Sequence, residues 1–499
     1  MTTRAADTLD GLHDELRLDP HGPAFVRASR GRVRPVLTRG ELADRALGVA
    51  ADLHRRGIGP GDTVALAVRP GPAALAVVLA ALRLRVRIAL VDPTAGPELV
   101  TARLASVSPR LLVADAAAQA AAGWAAPLAR RAGLRLPRLD AIAPVATLGR
   151  RVPGCAPAVS STLPTCRSVV PDHRGADADA LVVFTSGTTA RPRAVVHTTA
   201  SVGAGLATVR GLVDPSPGSP VLGSTFFVMG PALAAGAPVA LPARRPGVLA
   251  GQLRALRPQA TYLTPPQARA LLDTGAAVSG AFFAGSAPVT ARLLERLRAA
   301  GADRAHGVYA MTEAFPVAAV EAAEKSAFEG PGDLLGTPLG RMRVRSDVSG
   351  RLYVSGPGAC HRYLGDDPLD EVDTGDLGRV DEAGRVVLHG RAKDMVLRGA
   401  ENIYPGLYEP ALHVPGVALA VLVGVPREDL DEALVLLVEP EPGWSEAAVR
   451  VALRAVVAGL GPARPDHVLV APVPLAGRSR KPDRPAASAL AARMIGETP

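Results

Sequence analysis

Lysine is almost missing from this 499-residue chain. Of its 56 lysines and arginines, only Lys325, Lys393 and Lys481 are lysine. Aromatic residues make up 3% of the sequence, and the arginines are scattered. A nucleic-acid-binding surface would pair a dense basic stripe with stacking rings, so nucleic acid is not an expected partner. The three cysteines, Cys155, Cys166 and Cys360, form no CxxC pair and no zinc spacing. That pattern fits a reducing compartment and argues against a disulfide scaffold. No GxSxG is present, and His197, His306 and His389 have no triad or metal spacing, so serine hydrolysis is not expected. No apolar run approaches the roughly 18 uninterrupted residues of a membrane span. The longest candidate, GPAALAVVLAALRLRVRIALVDP, is broken by arginines. The opening MTTRAADTLDGLHDELRLDP carries acids and no apolar core, which predicts no signal peptide and a cytoplasmic protein. No repeat at a period of about 20–50 residues is visible.

What is present is globular composition, 48% hydrophobic and 21% charged, over a length that supports two or more domains. The formal net charge of +9 is mild for this size and suits small anionic substrates such as nucleotides. Short apolar runs alternate with Ala/Leu/Arg stretches. DTVALAV (62–68), RIALVDP (87–93) and RLLVAD read as strands, with helices GPAALAVVLAALRLR and PELVTARLASVSP between them. ALVVFTS (180–186), PVALPA and QATYLTP (259–265) continue the pattern. Strand–helix–strand order with short connections predicts an α/β fold with parallel-rich sheets layered with helices. The Pro-, Arg- and Ser-rich segment 127–180 reads as loop and edge structure connecting two sheet units. Beyond about residue 343 the texture turns to strands, then to the helical stretch EAAVRVALRAVVAGL. The expected organisation is a large N-terminal domain over 1–391 and a small C-terminal α+β domain over 392–499, joined by a hinge.

The strongest local signal is LVVFTSGTTARPRAVVHTT (181–199). A β-branched strand runs into Thr185, Ser186, Gly187, Thr188 and Thr189, followed by Arg193. Hydroxyls, backbone N–H groups and a cation on a loop are the groups a polyphosphate needs. The loop is not a Walker motif, which would read GxxxxGK[ST]. As a bare hydroxyl-rich loop it fits a surface turn equally well.

The order of residues resembles the phosphate loop of the adenylate-forming superfamily, TSGTTGxPKG, which includes acyl-CoA synthetases, luciferases and peptide-synthetase adenylation domains. Here Ala190 and Ala194 stand in glycine slots and Arg193 in the lysine slot. FFAGSAPVT (282–290) resembles the family's next turn, with Gly285 along the adenine. VYAMTEAFPV (308–317) resembles YGxTE, which implies Tyr309 beside adenine, Thr312 on phosphate and Glu313 on Mg²⁺. Thr374-Gly375-Asp376 resembles TGD, whose carboxylate accepts from the ribose hydroxyls. Gly390-Arg391-Ala392-Lys393-Asp394 resembles GRxKD, with Arg391 on ribose and phosphate and Lys393 in the hinge slot. GAENIYP (399–405) resembles the loop that assists thioester formation, through Asn402 and Tyr404, and Glu409 matches its acidic end. With VLTRGELADRA and RRGIGPGDTVALAV upstream, the resemblance runs from about residue 35 to 485.

It implies ATP and Mg²⁺ as partners, with CoA as a candidate acceptor, and a carboxylic acid as substrate. The acid pocket is expected from 225–237, 283–288 and 309–317, with Phe227 and Met311 in its wall. The Ala, Phe, Val and Met there favour an aliphatic or weakly polar acid. Two acceptors remain open at this point. A CoA or carrier thiol suits GAENIYP. The substrate's own β-hydroxyl suits ALVDPTAG (89–96), TFFVMGPALAAGAPVALP (225–242) and TEAFPVAAVEAAE, which resemble segments of olefin-pathway β-lactone synthetases. A degenerate nucleotide-binding module without turnover is the reading from another class, motivated by Arg193 and the lost glycines.

Finally, Lys481-Pro482-Asp483-Arg484 resembles the KxxR end of the family's last loop, with Arg480 in a glycine slot. The resemblance implies that Lys481 reaches the carboxylate and α-phosphate during adenylation. Without it, PLAGRSRKPDR reads as a solvated basic tail. A chain that writes nearly every cation as arginine keeps lysine in two motif slots. A compact ammonium enters a crowded phosphate–carboxylate centre where a planar fork fits less well.

Overall fold

The computed structural model describes residues 9–29, 31–91, 96–131, 135–163, 170–185, 193–398, 401–427, 432–477 and 480–496. Two large sheets dominate. In the seven-stranded sheet, Asp179–Phe184, Arg87–Leu90, Thr63–Ala67, Leu111–Asp115 and Val145–Leu148 run parallel in that spatial order. Thr63–Ala67 is buried at every position, as a strand covered on both faces must be. Val64 and Leu66 pack under the helices Arg39–Arg55 and Pro72–Arg83, and Ala65 and Ala67 under Pro97–Val107. Arg39–Arg55 starts where a capping box dictates: the Thr38 hydroxyl accepts from Glu41 N–H, and Glu41 accepts from Thr38 N–H.

The thirteen-stranded sheet has two halves. Val221–Leu222, Ala260–Leu263, Ala281–Gly285 and Arg304–Tyr309 are parallel neighbours. Beyond Arg304–Tyr309 the order continues antiparallel through Ala318–Glu321, Asp333–Pro338, Val386–Arg391, Val372–Val380, Arg351–Ser355 and Arg343–Ser346. Tyr309 therefore ends the last parallel strand, where the sheet changes sense.

One expectation is corrected. Segment 127–180 does not link two sheet units, because Leu111–Asp115 and Asp179–Phe184 lie in the same sheet. The segment contributes the edge strand Val145–Leu148, paired parallel to Leu111–Asp115, and the helix Ala126–Arg131. Its prolines and arginines hide a short strand held from both sides, by Leu111–Asp115 and, at Thr147, by hydrogen bonds to Pro157 and Val159.

After Arg391 the chain leaves the large sheet. Val417–Pro426, Glu432–Pro440 and His467–Val470 form a three-stranded sheet. Ala420, Leu422, Leu434 and Leu436 pack towards the helix Glu446–Ala458, and Val421, Val423, Val435 and Leu437 towards the helix Arg484–Ile495. The nearly unbroken apolar runs VALAVLVGVP and EALVLLVEP are thus a sheet sandwiched between helices. No helix among the described residues is long and apolar enough to cross a membrane.

Arg484 ties this small unit to the turn that follows the large sheet. It lies 2.7 Å from Glu409 Oε2 and 3.1 Å from Asp394 Oδ2, and donates to the Leu422 carbonyl at 2.7 Å. Glu409 also accepts from Leu422 N–H at 2.8 Å. The Arg484 side chain is 22% exposed, and the Asp394 and Glu409 side chains 21% and 14%. Removing one partner from such a cluster strands the others. Arg484→Ala is expected to destabilise the small unit by about 3 kcal/mol. Amide hydrogen exchange over Val417–Pro426 is the measurement, with protection falling there and unchanged in the seven-stranded sheet.

Candidate active site

The floor of the cleft is a buried carboxylate. Asp376 and Arg391 are cross-strand partners on Val372–Val380 and Val386–Arg391, and directly opposed opposite charges favour that register. Asp376 is 3% exposed. Its Oδ2 accepts from the Tyr309 hydroxyl at 2.6 Å, its Oδ1 lies 3.0 Å from Arg391 Nε, and its N–H donates to Thr374 Oγ1 at 3.0 Å. The Arg391 contact is an ion pair without hydrogen-bond alignment, so Oδ1 is buried with no hydrogen-bond partner. Burial pushes the Asp376 carboxyl above its ordinary range, against the pull of Arg391 and Tyr309. Burial and then Asp376 push the Tyr309 hydroxyl well up.

Beside this floor stands Glu313. Its carboxyl is pushed up by burial and pulled down by lesser effects, including the Tyr363 hydroxyl and the charges of Arg391 and Arg193. The Tyr363 hydroxyl lies 3.4 Å from Glu313 Oε1, and the Arg193 guanidinium sits 4.2 Å from the centre of the Tyr363 ring. Tyr363 was not singled out from the sequence: ACHRYLGDD carries no spacing that marks it. Its stacking gives the arginine in the lysine slot a defined seat, because a planar cation packs on a ring face. His197, which has no triad or metal spacing, is fully buried. Its Nε2 lies 2.8 Å from the Thr312 carbonyl and its Nδ1 3.4 Å from Ser201 Oγ. A carbonyl only accepts, so Nε2 carries the proton. Burial pushes the imidazole down, keeping it neutral. The histidine thereby pins the Thr312–Glu313 corner to the strand Ala194–Thr198.

Of the expected phosphate loop, Ser186, Gly187, Thr188 and Thr189 lie outside the described residues, as does Ala190. Both stems are described. Thr185 N–H donates to the Arg193 carbonyl at 3.1 Å, closing the hairpin. The Thr185 carbonyl accepts from Arg103 at 2.7 Å, while the Arg103 guanidinium lies 5.6 Å from the Phe184 ring centre. Arg103 is a loop-bracing residue that sequence reasoning missed, since it is one arginine among many on an amphipathic helix.

Gly285 ends the strand next to Tyr309. A Cβ there would come within 3.0 Å of the Val308 carbonyl and 3.2 Å of the Tyr262 hydroxyl, so only glycine leaves the backbone open. The next residue, Ser286, has φ +68° and shares a 2.8 Å hydrogen bond with Tyr262. Phe227 and Met311 are both half-buried but join different apolar clusters. Phe227 stacks 3.6 Å from Phe315 near Val202, and Met311 packs by Val195 and Ala314.

Lys481 arrives from the small unit. It pairs with Ala476 in a short antiparallel ladder, just before the helix capped by Asp483. Its charged neighbours are Arg391, Asp376, Glu313 and Lys393. The residue stays open to solvent at the cleft mouth, yet packed atoms crowd its ammonium. Burial, followed by Arg391, pushes that ammonium below the ordinary lysine range, while Asp376 and Glu313 oppose the shift. Arg480 has φ +52°, a left-handed conformation that is strained for a side-chain-bearing residue. Lys393 lies exposed in the turn Ala392–Asp394. Asn402 is exposed on the strand Glu401–Ile403, paired with Val396–Arg398, and Tyr404 packs at Gly390. Thr312, Glu313, Tyr309, Asp376, Arg391, Arg193 and Lys481 are thus brought to one cleft, whereas Asn402 and Tyr404 sit beside the connection between the units. Among the described residues no group of three or more His, Cys, Asp or Glu is placed to hold a metal.

Residues 15–364 match the family described as AMP-binding enzyme. A CoA ligase of Mycobacterium tuberculosis (strain ATCC 25618 / H37Rv), 3-[(3aS,4S,7aS)-7a-methyl-1,5-dioxo-octahydro-1H-inden-4-yl]propanoyl:CoA ligase, is 31% identical over 211 residues, covering 40% of this chain. The match spans 41% of that relative's length, and 32% of the corresponding ligase from Rhodococcus jostii (strain RHA1). The fold is similar to that of the amide bond synthetase McbA from Marinactinospora thermotolerans, with a TM-score of 0.76 at 22% identity over 97% of this chain and 99% of the other. The matched region takes in the hydroxyl-rich loop and the Thr312–Glu313 corner, and it makes up well over half of the sequence: the chain belongs to the AMP-binding enzyme family.

Proposed function

We propose that this chain couples a carboxylic acid to AMP at the expense of ATP, with release of pyrophosphate, and then passes the acyl group to a thiol. The observation that carries the reading is the meeting of Lys481, from the small unit, with Asp376 and Arg391 of the large sheet and with Glu313 beside them. Asp376 Oδ1, ion-paired with Arg391 but without a hydrogen-bond donor, is an acceptor suited to a ribose hydroxyl. Gly285 ends the strand paired with that of Tyr309, where the resemblance puts the adenine.

In this reading a substrate carboxylate oxygen attacks the α-phosphorus of ATP, and the bond to the β-phosphate bridging oxygen breaks. Anionic oxygens crowd together in that transition state. The Lys481 ammonium donates to them, and Arg391 and Arg193 add fixed positive charge. Mg²⁺, held by Glu313 and substrate phosphates, would offset the remaining charge, since Mg²⁺ typically takes one or two carboxylates and keeps several waters. Thr312 contacts phosphate, with its backbone held by His197. Thr185 and the hydroxyls that follow it cradle the β- and γ-phosphates. Phe227 and Met311 border an aliphatic or weakly polar acid.

CoA or a carrier thiol is the proposed acceptor, in line with the CoA ligases among the relatives and with a fatty acid–acyl-carrier-protein ligase of Streptomyces coeruleorubidus. Asn402 and Tyr404 then serve the second step, and Lys393 the movement between an adenylation unit over 1–391 and a mobile unit over 392–499. Cyclisation by a substrate β-hydroxyl is the other outcome for the same adenylate. The reading as a degenerate binding module rested on Arg193 and the lost glycines, and the seat of Arg193 on Tyr363 speaks for use of that arginine rather than decay.

Two outcomes follow from this chemistry. Lys481→Ala should lower acid-dependent ATP–pyrophosphate exchange on the order of 100-fold, the scale of losing one transition-state donor, with an unchanged far-UV spectrum and melting temperature. An exchange rate near that of the native protein would refute the assignment. Arg193→Lys loses the planar stack on Tyr363 and should slow exchange several-fold; faster exchange in that variant would mean that Arg193 impairs turnover.

A further inference from the structure

The groups around Lys481 do not explain what holds the small unit over the large one. A second junction lies elsewhere. The helix Ala291–Ala299 of the large unit presents Arg292 and Arg296 to Glu441, which follows the strand Glu432–Pro440 of the small unit. Arg292 Nε and Nη2 donate to Glu441 Oε1 and Oε2 at 3.0 and 2.8 Å, a two-pronged pairing. Arg296 Nη1 lies 3.6 Å from Oε1, while its Nη2 is held by Asp273 at 2.8 Å.

Glu441 is prepared for this from its own side. Its Oε2 accepts from Gly416 N–H at 3.1 Å, its N–H donates to the Gly416 carbonyl at 2.8 Å, and its carbonyl accepts from Trp444 N–H at 3.1 Å. The Trp444 ring lies over Gly416. The Glu441 side chain is 12% exposed and that of Arg292 27%, so the pair is partly shielded from solvent. Burial tends to raise the Glu441 carboxyl, but Arg292 and the Gly416 N–H outweigh it and hold the group ionised. Arg269, on the helix Pro265–Leu272, lies within electrostatic reach of Glu439 on the same side.

We infer that Glu441 is a positioning residue: its pairing with Arg292 and Arg296 clamps the small unit in the orientation that puts Lys481 beside Asp376 and Glu313. The inference rests on the adenylation reading for what Lys481 does there, not for where it sits. The peptide connection at Lys393 and Asp394 fixes one point of the small unit, and a single point leaves rotation free. The clamp is the second point, 149 residues apart in sequence. Its loss lets Lys481 swing out without touching any group in the cleft.

The scarcity of lysine supplies the test. Lys325 is buried and paired with Asp333, Lys393 is exposed at the connection, and Lys481 is the third. The full chain is acetylated briefly with an amine-reactive ester, and the three sites are quantified by mass spectrometry. Glu441→Gln keeps an oxygen for Gly416 N–H but removes the charge, and Arg292→Gln breaks the pair from the other side. Each is expected to raise Lys481 labelling relative to Lys393 by about threefold or more and to lower pyrophosphate exchange, with KM for the acid little changed. Native protein in 0.5 M NaCl should shift the same way, because salt screens a partly exposed pair. The reversed pair Arg292→Glu with Glu441→Arg should bring labelling back towards the native ratio. Lys325 remains unlabelled in a folded variant, and if a variant unfolds, the salt series on the native protein decides. Unchanged Lys481 labelling in the folded variants and in salt overturns the clamp. If labelling shifts but the native protein shows no exchange, the clamp stands and the adenylation reading falls.

Discussion

The site depends on one buried carboxylate. Asp376 sits almost without solvent where the antiparallel half of the large sheet meets the end of its last parallel strand. Burying a charge is costly unless it is paired. Here the Tyr309 hydroxyl takes one oxygen, and Arg391 neutralises the other without hydrogen-bonding to it. That arrangement leaves Oδ1 ion-paired but without a hydrogen-bond donor, and it joins two strand ends, at Tyr309 and Arg391, to the middle of a third strand. The charges around it then follow: Glu313 and Arg193 on one side, and Lys481 from the small unit above.

Cation choice in this chain tracks geometry. Arginine is used where a planar fork or a flat face has something to match: the Tyr363 ring for Arg193, the Asp394 and Glu409 carboxylates for Arg484, the bidentate Glu441 for Arg292. Two of the three lysines sit where a compact cation must fit a crowded place, while Lys393 is exposed at the connection between the units. Lys325 reaches both Asp333 and the Leu334 carbonyl inside the protein, and Lys481 enters the cleft. A bias towards arginine in the sequence therefore makes the few lysines informative.

Much of the fold was legible because buried parallel strands read as unbroken apolar runs, as in VALAV and LLVAD, with amphipathic helices between them. The motif order singled out Asp376 and Lys481, which the fold brings within electrostatic reach of each other; their roles in catalysis are the proposal. Other features had no local signal. Tyr363 and Arg103 act through contacts across 170 and 82 positions with Arg193 and Thr185, and nothing near them in sequence announces that. The edge strand Val145–Leu148 is specified by its neighbours, so a Pro- and Arg-rich segment read as a connector. Arg480 was visible as a residue in a glycine slot, but only the structure shows its left-handed backbone.

The central claim is that a carboxylate oxygen of the substrate bonds to the α-phosphorus in this cleft. Isotope transfer tests it most directly. An acid labelled with ¹⁸O in its carboxylate is incubated with the protein, ATP, Mg²⁺ and CoA, and the nucleotide products are weighed. Acyl-adenylate chemistry predicts AMP that carries one ¹⁸O after acyl transfer, with unlabelled pyrophosphate. Unlabelled AMP, or ADP with the label in orthophosphate, would contradict the account.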